Sequence, residues 1–169
     1  PPPPPPPPPP IFNDRAPTSI STSRCSSAAS DVYKRQVVLC VDTASGETAW
    51  KFEVPGSPSG RGSSSTPAVS GGKIYAALSD HLYCIDVADG KEVWRAPLTG
   101  KKGPASSPLV ANGKIYLQQG RLTAFDAATG EVAWETKEVA GSNPSPALWN
   151  ETVICNSGKE VVGVDSASG

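Results

Sequence analysis

The chain has 169 residues, of which 37% are hydrophobic, and its 15 Lys+Arg nearly balance its 16 Asp+Glu to give a net charge of −1. This balance does not predict the basic surface that nucleic-acid-binding proteins carry. No apolar run approaches the roughly 20 residues that a membrane-spanning helix needs. Composition therefore excludes a nucleic-acid-binding protein and a helical membrane protein.

Residues 1–36 differ in character from the rest of the chain. They open with ten prolines and end with SSAASDVYKRQ (Ser26 to Gln36), which is the in-frame translation of a transposase-type sequencing adaptor. We therefore interpret residues 1–36 as a disordered sequencing artefact and residues 37–169 as the protein domain, a fragment whose native N-terminus and any signal peptide are missing. The alternative is a genuine polyproline II arm, which would act as a spacer or as a ligand for aromatic grooves.

A repeated unit dominates the remaining sequence. DTASGETAW (Asp42 to Trp50), DVADGKEVW (Asp86 to Trp94) and DAATGEVAW (Asp126 to Trp134) follow one another, and DSASG (Asp165 to Gly169) begins a fourth copy. A period near 40 residues is typical of stacked supersecondary units. The repeat therefore predicts the scaffold more directly than any enzymatic activity.

Each repeat predicts four short β-strands. Between residues 105 and 136, β-type runs alternate with turn residues, and no segment has the 3.6-residue period of a helix. Asn112-Gly113 suits a two-residue type I′ hairpin, as does Gly71-Gly72 one repeat earlier, whereas Asn150-Glu151 predicts a looser hairpin. The predicted fold class is all-β, built from four-stranded antiparallel units.

The aspartate and the glycine of each unit predict a tight turn. The carboxylate can accept bonds from backbone N–H groups of the turn, and the glycine can adopt a left-handed conformation. The alternative is calcium binding, but each turn offers one carboxylate, or two with Asp89, whereas calcium takes six to eight oxygens. These predicted turn residues are Asp42, Gly46, Asp86, Gly90, Asp126, Gly130, Asp165 and Gly169.

Trp50, Trp94 and Trp134 stand four residues after the turn glycine, in the last strand of their repeats. A large ring at one fixed place in every unit favours packing between neighbouring units. The alternative is aromatic stacking on a ligand. Trp149 is out of this register and is predicted to lie at the surface or rim.

The segments between repeats are predicted loops. Proline is tolerated as the first residue of a strand, and Thr66-Pro67, Ser107-Pro108 and Ser145-Pro146 therefore predict where the first strands begin. The preceding residues, 56–65, 99–106 and 140–145, are variable in sequence and are the candidate surface for a protein partner. Arg61, Lys101 and Lys102 would give that surface positive charge, unless they are only solvated loop residues.

The cysteines and the single histidine do not form a recognisable site. Cys40, Cys84 and Cys155 are predicted to be buried strand residues, and a Cys40–Cys84 disulfide is an open alternative. No CxxC pair and no Cys/His cluster is present, which disfavours zinc. His81 is predicted to be a loop residue rather than a general base.

The D-x-x-[ST/D]-G-x-x-x-W unit, preceded by SSP and NGKIY, resembles the repeat of the pyrroloquinoline-quinone-type, or quinoprotein-like, β-propeller family. The resemblance covers residues 37–169. It implies a partial propeller with two full blades, near residues 63–98 and 105–139, plus parts of two more, in a parent of eight blades. It also implies that the three spaced tryptophans dock adjacent blades, and that the protein is periplasmic, envelope-associated or secreted.

Two functions are compatible with this resemblance. The favoured hypothesis is a non-catalytic scaffold whose partners are the remaining blades and a protein bound through the interblade loops. The alternative is a piece of a pyrroloquinoline-quinone-dependent alcohol or sugar dehydrogenase, in which quinone and calcium would lie on the propeller axis of the parent. The fragment is expected to hold no catalytic, cofactor-binding or metal-binding residue, because it has no adjacent Cys-Cys pair and no long insertions.

Overall fold

The computed structural model describes residues 35–55, 65–98, 106–136, 139 and 144–169. Within these ranges the chain forms β-strands and no helix, which confirms the predicted all-β class. The strands are β1 (Arg35–Val41), β2 (Thr48–Pro55), β3 (Ala68–Ser70), β4 (Lys73–Leu78), β5 (His81–Asp86), β6 (Glu92–Pro97), β7 (Leu109–Ala111), β8 (Lys114–Gln118), β9 (Leu122–Asp126), β10 (Val132–Thr136), β11 (Ala147–Trp149), β12 (Thr152–Asn156) and β13 (Val161–Asp165).

The strands form four antiparallel sheets in which spatial order follows sequence order. Blade 1 is β1–β2, blade 2 is β3–β6, blade 3 is β7–β10 and blade 4 is β11–β13. The predicted architecture of two full four-stranded blades with parts of two more is therefore confirmed. The innermost strands face one another, since β3 contacts β7 and β7 contacts β11.

Two-residue hairpins join the first two strands of blades 2, 3 and 4. Asn112 and Gly113 have φ angles of 52° and 70°, the left-handed pair that a type I′ turn requires. In blade 4 only Asn150 is left-handed, at 53°, yet Trp149 still pairs with Thr152 across the turn. The predicted loosening of this hairpin is not observed.

Each blade uses both of its faces for packing, because successive strand residues point to opposite sides. In blade 2, Tyr83 and Ile85 pack with blade 1, whereas Leu82 and Cys84 pack with blade 3. We call these the preceding face and the following face of a blade, and the contact between adjacent blades a seam. The first, second and third seams join blades 1 and 2, 2 and 3, and 3 and 4.

The two ends of the blades have different connections. Val87, Ala127 and Ser166 each donate a backbone N–H to the first hairpin of their own blade, at 3.1, 2.9 and 2.8 Å. The Asp-to-Gly turns therefore lie beside the hairpins, at what we call the turn end. The β4–β5, β8–β9 and β12–β13 connections lie at the opposite, loop end. There Leu98 N–H donates to the Asp80 carbonyl at 2.7 Å, just beyond β6.

The first strand begins before the predicted domain start at Val37. It runs from Arg35, and Gln36 is 8% exposed with its side-chain oxygen accepting the Ser79 N–H at 2.6 Å. The interpretation of residues 1–34 as an artefact lies outside the described residues. The predicted interblade loops also fall there, apart from residues 65, 106, 144 and 145.

Candidate functional site

The three spaced tryptophans each reach across a seam. Trp50 Nε1 donates to the Val87 carbonyl at 2.8 Å, Trp94 Nε1 to Ala127 at 3.3 Å, and Trp134 Nε1 to Ser166 at 3.4 Å. Each acceptor is the residue directly after the turn aspartate of the next blade. A buried indole N–H needs such a partner, and the bond fixes one blade relative to the next.

The turn glycines provide the surface on which the indole rings lie. A Cβ on Gly90 would stand 2.6 Å from the Trp50 ring, one on Gly130 would stand 2.6 Å from Trp94, and one on Gly169 would stand 2.8 Å from Trp134. These glycines also have positive φ, which disfavours any side chain. Gly46 has φ of 76°, but nothing lies within 4 Å of its Cβ position.

Two tyrosines, which the sequence did not single out, share this docking role. Tyr116 O–H donates to the Ser166 carbonyl at 3.0 Å, and Tyr75 O–H donates to the Ala127 carbonyl at 3.4 Å. Each carbonyl therefore accepts both an indole and a phenol, one for each lone pair. The matching IY of the two NGKIY-like segments was the available signal. Blade 4 has Ile154 at this position.

The residues before the strand-opening prolines form a second interblade contact that sequence reasoning missed. Thr66 N–H donates to Ser107 Oγ at 2.8 Å, and Ser107 N–H donates to Ser145 Oγ at 2.9 Å. These bonds connect blades 2, 3 and 4 beside the inner strands. The proline fixes its own φ angle and leaves the preceding N–H as the donor that crosses the seam.

The four turn aspartates each bind their own turn. Oδ1 of Asp42 accepts the Ala44 and Ser45 N–H groups at 3.0 and 2.8 Å, and Oδ1 of Asp126 accepts those of Ala128 and Thr129 at 2.9 Å. Asp165 repeats this arrangement, whereas Asp86 accepts one turn N–H and a bond from Lys73 Nζ at 2.6 Å. These bonds lower the pKa of each carboxyl below its usual range.

The residues present do not fit a calcium ion. Each aspartate oxygen that binds its turn is already an acceptor, and the four carboxylates belong to four different blades. Across the described ranges, no group of three or more His, Cys, Asp or Glu side chains could hold a metal. Calcium requires six to eight oxygens at one point, and these turns do not bring them together.

The cysteines are buried free thiols in the structure, in agreement with the bland prediction for them. Burial raises the pKa of Cys84 and of Cys155 to about 11. A thiol with so high a pKa is protonated at neutral pH and is a poor nucleophile.

His81 was predicted to lie in a loop, and this prediction is wrong. It is the first residue of β5 and pairs with Leu78. Its Nδ1 atom lies 2.7 Å from Asp80 Oδ1, and its ring lies 5.8 Å from the Tyr83 ring. The hydrogen bond from His81 lowers the pKa of Asp80.

Comparison with known proteins identifies this arrangement. A family model described as outer membrane protein assembly factor BamB matches residues 34–169. The chain belongs to this family. The predicted resemblance to the quinoprotein-like propeller repeat is thereby confirmed, because quinoprotein dehydrogenases carry the same repeats. The chain is 31% identical over 129 residues to quinohemoprotein alcohol dehydrogenase ADH IIB of Pseudomonas putida, and 32% identical over 129 residues to quinohemoprotein alcohol dehydrogenase of Comamonas testosteroni.

These dehydrogenases are much longer than the matched segment. The match covers 66% and 65% of this chain but 18% of each relative. Among solved structures, BamB from Moraxella catarrhalis superposes with a TM-score of 0.62 at 18% identity, covering 77% of this chain and 44% of that one. At that identity the likeness shows the fold, which is a propeller. Within the described residues, no helix is long and apolar enough to cross a membrane.

Proposed function

We propose that this chain is part of a non-catalytic propeller scaffold of the cell envelope that presents its loop end to a protein partner. One observation carries the proposal: the polar groups of the repeat motif are bonded to backbone. Trp94 Nε1 and Tyr75 O–H donate to one carbonyl of the next blade, and Asp126 Oδ1 accepts N–H groups of its own turn. Groups used in this way hold blades in order.

The family description supports the location and the kind of partner. An outer membrane protein assembly factor works in the envelope and among other proteins, and residues 34–169 match that family. The propeller scaffold also needs further blades. The open space over the Gly46 turn supports a preceding blade that supplies an indole there, as blades 1, 2 and 3 do for the blades after them. A ring of eight blades remains a prediction.

The described residues at the loop end give this surface mixed charge. Asp80, Arg121 and Lys159 are exposed in the β4–β5, β8–β9 and β12–β13 connections. Arg121 also forms an ion pair with Glu135 at 2.5 Å. Exposed side chains on connections contribute more to partner choice than buried seam residues do, because the connections can vary without disturbing the packing.

Site-specific photocrosslinking in the native envelope tests the proposal. A photoreactive residue would replace Asp80, Arg121 or Lys159 at the loop end, with Asp89 and Thr129 at the turn end as matched controls. We expect one protein adduct that forms at the loop-end positions and not at the controls. Adducts at the turn end alone, or none at either end, would contradict the proposed surface.

The second candidate is a segment of a quinone-dependent alcohol dehydrogenase, which the 31% identity to ADH IIB favours. The longer protein would be mixed with pyrroloquinoline quinone and Ca²⁺, and dye reduction by primary alcohols would be measured. The scaffold hypothesis predicts neither saturable quinone binding nor alcohol-dependent dye reduction. Both results together would replace it with the dehydrogenase.

A further inference from the structure

The following face of blade 4 is apolar and exposed. Leu148, Val153 and Val162 pack toward blade 3 in the third seam. Because strand residues alternate, Trp149, Ile154 and Val161 point to the opposite face. Trp149 is 67% exposed and Val161 is 71% exposed, whereas Leu122, which matches Val161 in blade 3, is 0% exposed. Large apolar side chains exposed together are typical of an interaction surface.

The chain carries a surface of the complementary kind on blade 1. Val38 and Cys40 are buried toward the first seam, so Val37, Leu39 and Val41 lie on the preceding face of blade 1, where they are half-buried. Leu39 holds the position that Tyr83 has in blade 2, three residues before the turn aspartate. In all three seams, a following face packs against a preceding face.

We propose that the chain of residues 1–169 associates head to tail, with the following face of blade 4 docked on the preceding face of blade 1 of a second copy. The occupant is a second copy because this chain itself supplies the two types of face that its seams join. In a longer protein, further blades would cover the same two faces within one chain. The proposal therefore goes beyond the scaffold function and describes an intermolecular seam.

This intermolecular seam differs from the internal ones. Blade 4 has Ile154 where Tyr75 and Tyr116 donate to a carbonyl, so that hydrogen bond is lost. Trp149 stands where blade 3 has Ala111, which moves the bulk to the inner strand. The contact is heterologous, so each added copy leaves one face of each type uncovered, and growth continues unless a ring closes.

Complementary variants test the proposal by light scattering coupled to size-exclusion chromatography. The wild-type chain is expected to show at least a twofold rise in average mass as its concentration increases. Trp149→Asp removes the following face, and Leu39→Asp removes the preceding face. Each variant alone is expected to stay monomeric. An equimolar mixture is expected to form a dimer that does not grow, because only one competent seam remains.

Val132→Asp is the matched control, since Val132 is 57% exposed on the outer strand of blade 3, away from both faces. It should associate like the wild type, and circular dichroism should show a cooperative melt for each variant used. A monomeric wild-type chain would overturn the proposal. Association that Trp149→Asp leaves unchanged, or a mixture of the two variants that stays monomeric, would overturn it as well.

Discussion

The first and second seams contain the same docking bonds but are filled differently. In the first seam the rings of Phe52 and Tyr83 meet edge to face, with centroids 5.4 Å apart at 65°. The corresponding residues of the second seam, two after the tryptophan and three before the aspartate, are Ala96 and Thr123. A cavity of about 30 Å³ lies there, lined by Thr123 together with Leu98, Leu117 and Phe125. The repeat thus specifies the docking contacts, while the filling of each seam depends on residues outside the motif.

The largest expected effect comes from breaking the docking contact itself. Gly130→Ala would place a Cβ 2.6 Å from the Trp94 ring at a φ of +78°, which opens the second seam. Overpacking and the left-handed backbone together should lower the free energy of unfolding by about 2–4 kcal/mol. Gly46→Ala is the control, because it has the same type of φ but no neighbour within 4 Å, and should cost about 1 kcal/mol. Chemical denaturation measures both, and equal losses would contradict the docking role of Gly130.

The next effect removes the filling of the first seam. Phe52→Ala deletes the ring that contacts Tyr83, and leaves the Trp50 bond to Val87 in place. A fully buried Phe→Ala change costs about 3–5 kcal/mol, and the half-buried Phe52 should cost about 2–3 kcal/mol. Hydrogen exchange followed by mass spectrometry should show faster exchange in β1, β2 and β5, with β8 and β9 unchanged. Uniform acceleration across all blades would mean that the seams do not act separately.

Filling the cavity should make the second seam resemble the first. Thr123→Tyr introduces at this position the ring that Tyr83 provides in blade 2. A 30 Å³ void costs about 0.7 kcal/mol at 24 cal/mol per Å³, so we expect the free energy of unfolding to rise by about 0.5–1 kcal/mol. Thr123→Val, which keeps the size, is the control and should recover little. A loss of stability in Thr123→Tyr would show that Leu117 and Phe125 cannot accept the ring.

Alkaline pH should affect the second seam through Cys84. Its pKa in the folded chain, about 11, is above the ordinary value of 9.0 because the thiol is buried. A raised folded pKa favours the folded state below pH 9, and this contribution is lost as the pH rises toward 11. Cys84→Ala should therefore lose less stability than the wild type between pH 9 and pH 11. Parallel curves for the two proteins, measured by urea denaturation, would exclude Cys84 as a source of the pH dependence.

The sequence predicted the features that repeat. The Asp-to-Gly turns, the two-residue hairpins and the spacing of Trp50, Trp94 and Trp134 all depend on local backbone preferences or on a fixed period, which one sequence displays. The four-stranded blades followed from these signals. His81 was misplaced because two residues, Ser79 and Asp80, are enough to turn β4 into β5.

The missed features depend on neighbours in space. Tyr116 O–H and Ser145 Oγ act across seams, about 40 residues away in sequence, and nothing local to either residue marks the contact. The cavity beside Thr123 arises because a small residue there coincides with Ala96 in another blade. Such pairs become visible only when the register between blades is known.

The double acceptor at Ala127 has a consequence for how such a chain can evolve. Trp94 and Tyr75 both bond this carbonyl, which belongs to the turn end, while the connections between blades leave from the loop end. Blade order is thus encoded in a short cassette that can be copied with its own address. Connections at the opposite end are then free to drift in length and composition, so one ring can acquire new specificities without being re-engineered.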